Sequence, residues 1–137
     1  MTYKSQLGQL GEDLACEYLV KKGYKIIDRN FRQKWGELDI IAKSPDKTLV
    51  FVEVKTMTDN GSEGIQPEDQ LTRAKLEKLK RTASLCAGHY PELVNDDKGW
   101  RIDLVALRLG FPRCDSGQAG QVISGENCDI KHYENIG

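Results

Sequence analysis

Apolar positions along this 137-residue chain change period several times. Leu7, Leu10, Leu14 and Tyr18 recur at helical spacing, and Ala15 and Leu19 widen the stripe. Residues 5–22 are therefore predicted to form an amphipathic helix, with Ser5 as its N-cap and Gly23 in the left-handed position past its end. The period then falls to two. Residues 24–31, 37–42 (ELDIIA) and 49–56 (LVFVEVKT) read as short strands, and Ser44, Pro45 and Asp46 mark a turn that makes the last two a hairpin. The polar, glycine-bearing run 57–69 reads as a loop. A second helix is predicted over 71–87, with Leu76, Leu79, Ala83, Cys86 and Tyr90 as its apolar stripe and Arg73, Lys75, Lys78, Lys80 and Arg81 on its other side. Residues 91–99 read as loop and 100–109 (WRIDLVALRL) as strand. Residues 110–127 carry no clear pattern, and 130–133 add an edge strand. The order predicts one α/β domain over residues 1–137, a sheet flanked by helices.

Burial sets the register of the hairpin. If Asp39 stands opposite Glu53, then Leu38, Ile40 and Ala42 share an apolar face with Val54, Val52 and Val50, and Ile41 faces Phe51. A slip of one residue would mix charged and apolar groups on both faces. The same register places two carboxylates roughly 5 Å apart. They repel unless a proton or a cation lies between them. A hard divalent ion such as Mg²⁺ takes oxygen ligands of this kind. Lys55 leaves the same face two residues from Glu53, where an ammonium can stabilise charge developing on a phosphate. In this register Glu37 faces Lys55. Alternation alone describes a half-exposed strand with a solvated charged face at least as well.

Composition narrows the class without fixing it. Hydrophobic residues make up 39% of the chain and charged residues 30%, as in an ordinary globular protein. No run is apolar enough to span a membrane, and the first residues read as helix rather than signal peptide, so the expected location is the cytoplasm. The four cysteines form no C-x-x-C pair, so neither a structural zinc site nor a disulfide is expected. A net charge of −1 removes the global basicity that would directly support a nucleic-acid partner. The charge is uneven, however. Residues 1–82 hold 15 basic and 13 acidic residues, whereas 83–137 hold 5 and 8, so any basic footprint belongs to the first part.

Asp39 followed by Glu53-Val54-Lys55 on a hairpin resembles the site pattern of PD-(D/E)XK nucleases. A longer set of residues resembles the YraN-type family of small bacterial proteins described as predicted endonucleases. The set begins with Gly8-x-x-Gly11-Glu12, Ala15, Tyr18-Leu19, Gly23-Tyr24 and Asn30-Phe31. It continues with Gly36 to Ala42, Phe51 to Thr56, Lys75, Arg101 to Val105 and His132. The resemblance implies a restriction-endonuclease-like fold, with a central mixed sheet, an antiparallel hairpin and flanking helices, similar to Holliday-junction resolvases. It implies Asp39 and Glu53 as ligands of Mg²⁺ or Mn²⁺, Lys55 as a transition-state stabiliser, and Glu12 as a further catalytic carboxylate. The reaction implied is hydrolysis of nucleic-acid phosphodiesters, with DNA as the expected partner. Junction resolvases act as dimers, so a homodimer is within the expectation. Met57 departs from the family, which usually carries arginine there to meet a phosphate.

Arg73, Lys75 and Lys78 are candidate backbone contacts, although lysines on a helix's outer face are often simply solvated. Arg101 and Asp103 are expected to form a structural ion pair. His89 and His132 stand alone in sequence and are read as neither ligands nor bases, and Trp35 is expected to pack rather than stack a base. Two other readings stay open: a non-catalytic nucleic-acid-binding module on the same fold, and a structural or assembly partner.

Overall fold

The computed structural model describes residues 3–58, 71–109 and 128–137. The loop expected at 57–69, apart from Met57 and Thr58, and the unpatterned stretch 110–127 lie outside them. Helix α1 (Tyr3–Lys21) opens the chain. It begins before Ser5, so that residue lies inside the first turn rather than capping it. Its end is as expected. Gly23 takes φ 92°, its N–H donates to Val20 O at 3.0 Å and that of Tyr24 to Leu19 O at 2.9 Å. This is the paired bonding of a Schellman motif.

Strands β1 (Lys25–Gln33), β2 (Gly36–Lys43) and β3 (Leu49–Thr58) form an antiparallel meander. The β2–β3 turn is tied by Asp46, whose carboxylate accepts from Thr48 N at 3.1 Å and Thr48 Oγ1 at 2.7 Å. These bonds hold the Asp46 carboxyl well below its usual range, with the Ser44 hydroxyl as the leading contributor. Helix α2 (Arg73–His89) carries the chain to β4 (Trp100–Leu109), which pairs parallel to β3, and β5 (Cys128–Tyr133) closes the far edge antiparallel. The result is a mixed five-stranded sheet in the order β1-β2-β3-β4-β5 with two flanking helices, consistent with a restriction-endonuclease-like fold. Among the described residues, no helix is long and apolar enough to cross a membrane.

The sheet separates two apolar clusters. Leu14, Ala15, Leu19 and Tyr24 pack with Ile40, Ala42, Val50, Val52, Val105 and Leu107 on one side. Phe31, Ile41, Leu49, Phe51 and Ile102 pack with Leu79, Ala83 and Cys86 on the other. One residue departs from the expected alternation. Leu38 belongs with Phe31 in the α2 cluster, not with Ile40 and Ala42. The strict period of two is therefore broken between Leu38 and Ile40, at Asp39.

Candidate functional site

The β2–β3 ladder runs from Lys43–Leu49 to Ile40–Val52 in the expected register. It stops there, although β3 remains paired with β4 through Glu53–Leu104 and Lys55–Ala106. Asp39 stands in the fork where the two strands part. Its Oδ2 accepts the N–H of Val54 at 2.9 Å. A side chain has replaced the backbone partner, which explains both the lost rung and the broken alternation.

Asp39 and Glu53 stand close enough for the charge of one to bear on the proton of the other, and a shared proton or a cation would relieve the repulsion. Burial, and then the Asp39 charge, push the Glu53 carboxyl up to about 7, against the opposing pull of Lys55. Burial also raises Asp39, offset in part by the Val54 N–H and Lys55. Lys55 Nζ lies 3.2 Å from Glu53 Oε1. Glu37 and Lys55, which the register set opposite each other, do not pair. Glu37 instead bonds Arg32 of β1 at 2.6 Å, its partner in the β1–β2 ladder.

Glu12 reaches the same place from α1. Gly11, the residue before it, packs against β3 so closely that a β-carbon would collide with Thr56, whose own Cβ would lie only 3.0 Å away. The helix can sit this low because that position has no side chain. Glu12 is largely covered, at 15% side-chain exposure. Its pKa is raised by burial and then by the Asp39 charge. The Asp39 charge thus bears on both Glu12 and Glu53.

A cavity of about 420 Å³ opens beside Glu53 and Lys55, between the β1–β2 turn and α2. Lys34, Lys75 and Lys78 line it together with Trp35 and Leu79. Lys75 and Lys78, two of the three candidate contacts on α2, therefore share a cleft with Glu53 and Lys55, whereas Arg73 does not line it. Thr72 caps α2 by accepting from Lys75 N at 3.2 Å, which fixes where the helix and its lysines begin. Trp35 stacks on His89, with ring centroids 5.1 Å apart and planes 13° apart, and tilts against Phe31. Packing is its observed role.

A second cluster lies away from the fork. Asp103, on β4, is fully buried and bonded on every side. Arg101 Nε donates to it at 3.0 Å, His132 Nε2 lies at 2.8 Å and Asn135 N donates at 3.0 Å. Burial alone would raise its pKa, but the bonds from His132, Arg101 and Asn135 outweigh burial and hold it below the usual range. Lys22 Nζ sits 3.2 Å from His132 Nδ1. An ammonium can only donate, so Nδ1 accepts and Nε2 carries the hydrogen shared with Asp103. The Arg101–Asp103 pair was expected. The part played by His132 was not, because residues 103 and 132 meet only through β4–β5 pairing. Asp103, His132 and Glu134 offer ligand atoms within 4.8 Å of one another and could hold a metal ion. Arg101 already bonds Asp103 and lies 3.6 Å from Glu134, so an ion would have to compete with a fixed cation.

Comparison with known proteins places these residues in a family. Residues 11–107 match the profile described as Uncharacterised protein family UPF0102. The chain is similar to a UPF0102 protein of Mycobacterium ulcerans, at 41% identity over 111 residues covering 78% of this chain and 84% of that protein. It is also similar to UPF0102 proteins of Mycobacterium bovis and Mycobacterium tuberculosis, at 37% identity over 136 residues covering 96% of this chain and 92% of each of those proteins. The matched span contains Glu12, Asp39, Glu53 and Lys55, and also Lys75 and Lys78.

Proposed function

The chain belongs to protein family UPF0102, and we propose that it is a divalent-metal-dependent endonuclease acting on nucleic-acid phosphodiesters, with DNA as its substrate. The observation that carries this reading is the fork at Asp39. Two half-buried carboxylates, Asp39 and Glu53, lie beside each other at the fork, a third, Glu12, feels the Asp39 charge, and Lys55 is paired to Glu53. A fold gains no stability from pressing like charges together in a partly desolvated place, and a cation relieves the repulsion while letting both carboxylates stay ionised. The donor set is made of hard oxygens with no thiolate or imidazole, which suits Mg²⁺ or Mn²⁺. Asp39 and Glu53 would hold the ion and Glu12 would support them. When bound, it would offset the carboxylate charge, polarise the phosphodiester and help activate a water.

The protein's own groups supply the rest. Lys55 is anchored at 3.2 Å from Glu53, so its ammonium is held beside the carboxylates, where it would stabilise charge developing on a phosphate. The Val54 N–H commits one of the two Asp39 oxygens to the backbone and so orients the carboxylate. The lysines lining the adjacent cavity offer positive charge to the flanking phosphates without reading sequence.

The test is Mg²⁺-dependent cleavage of branched, nicked and single-stranded DNA by wild-type protein and Asp39→Ala. Cleavage by wild type alone supports the assignment. Equal cleavage by both proteins overturns it. Salt-dependent DNA binding without cleavage, retained in Asp39→Ala and lost in Lys78→Glu, would make the protein a binding module on the same scaffold.

A further inference from the structure

We propose that Asn30 is a positioning residue, which holds the Glu12 carboxylate in place for the metal site. The inference rests on the assignment of Glu12 to that site, and it begins from a backbone anomaly. Asn30 lies within β1 yet takes φ 52°, in the left-handed region. The rungs on either side are Arg29–Ile40 and Phe31–Leu38, which sets Asn30 across the ladder from Asp39, the residue in the fork. A left-handed residue inside a strand is unfavourable for any L-amino acid, and asparagine tolerates it better than most. Such a conformation persists only where the surroundings enforce it, and such positions gather at functional sites.

The side chain indicates what is gained. With its amide nitrogen turned towards Glu12, the orientation that satisfies both groups, Asn30 lies 2.8 Å from Oε2 and 3.2 Å from Oε1. Both carboxylate oxygens face one donor. Arg29, whose guanidinium is the cation recorded in a salt bridge with Glu12, does not do this work. Arg29 spends its short contact on Asp13, at 2.6 Å, and comes no nearer than 4.0 Å to Glu12. Glu12 sits at the end of a flexible side chain facing the Asp39 charge, which by itself would turn it away. A neutral donor can hold it there without adding charge to the site. Outer hydrogen-bond partners of this kind orient the groups that meet the metal.

Two roles of Asn30 can be separated. Glycine adopts φ 52° freely, so Asn30→Gly keeps the backbone and removes the amide. Asn30→Asp keeps the shape but replaces the donor with a charge that repels Glu12. Mn²⁺ binding is read by EPR titration on the full chain for wild type, Asn30→Gly, Asn30→Asp, Glu12→Gln and the Glu12→Gln/Asn30→Gly pair. Metal-free crystal structures show the Glu12 side chain in wild type and both Asn30 variants. We expect Asn30→Gly to fold with wild-type circular dichroism, to lose the single Glu12 conformer and to bind Mn²⁺ about 10- to 100-fold more weakly. Asn30→Asp should bind at least as weakly, and the double variant no more weakly than Glu12→Gln alone. An ordered Glu12 in Asn30→Gly, in the wild-type position and with unchanged Mn²⁺ affinity, overturns the proposal. Should Asn30→Gly not fold, Asn30→Asp decides by the same two readouts. If wild type takes up no Mn²⁺, the metal reading itself falls, and the Glu12 conformer in the metal-free crystals alone decides the role of Asn30.

Discussion

Raising the pH should destabilise the metal-free protein, in the range where most carboxylates have finished titrating. Glu53 has an ordinary carboxyl pKa of 4.5 when unfolded and about 7 when folded, because burial and Asp39 both oppose its charge. Below 4.5 the proton is bound in both states. Between 4.5 and 7 the folded state holds a proton that the unfolded state has released, so stability falls as pH rises through this window. A shift of this size amounts to at most about 3.5 kcal/mol, at about 1.4 kcal/mol per unit. Glu12, raised in the same direction, adds to the trend. For a domain of this size, a loss of that order corresponds to a fall in Tm on the order of 10 °C. The assay is thermal unfolding by circular dichroism in EDTA, in half-unit steps from pH 5 to 8. Glu53→Gln keeps an N–H donor for Asp39 and has no proton to lose, so its curve should be much flatter. Adding Mg²⁺ or Mn²⁺ should restore stability most at the alkaline end, where both carboxylates are free to bind. A wild-type Tm that is level or rises from pH 5 to 7.5, or a Glu53→Gln curve parallel to it, would refute the account of the fork.

Other changes act on separate parts of the molecule. Asp103→Ala leaves the Arg101 guanidinium and the buried His132 without their shared acceptor and should cost about 3–5 kcal/mol in urea unfolding; a loss under 1 kcal/mol would mean that this network contributes little. Gly11→Ala should cost about 1–3 kcal/mol through the collision with Thr56, and Thr56→Ala in the same chain should recover part of it; purely additive effects would show that the contact is not the cause. Lys55→Met should lower the cleavage rate by about 10²- to 10³-fold while Mn²⁺ still binds, as for the loss of one charge-stabilising donor; an unchanged rate would remove Lys55 from the reaction. Lys78→Glu should weaken DNA binding and flatten its salt dependence, and an unchanged salt slope would place the DNA elsewhere.

The chain's own pattern determined the two helices, the meander and the register of the β2–β3 ladder, because keeping Val50, Val52 and Ile40 out of water admits only one register. It also determined that the basic side of α2 would be exposed, although not what that side would face. Tertiary structure decided the rest, where residues far apart in sequence compete for the same partner. The fork is one instance: Asp39 takes the Val54 N–H, ends the β2–β3 ladder and moves Leu38 to the other cluster, and a count of alternating residues cannot anticipate a side chain displacing a backbone bond. Glu37 is another, since β1 offered Arg32 as a nearer partner than Lys55. His132 looked solitary because its partners Asp103 and Lys22 come from a neighbouring strand and the end of α1. Local sequence fixes which face each side chain leaves from. Only the packing of α1, α2 and β5 on the sheet fixes which charges then lie within hydrogen-bonding distance, and the chemistry proposed here depends on those distances.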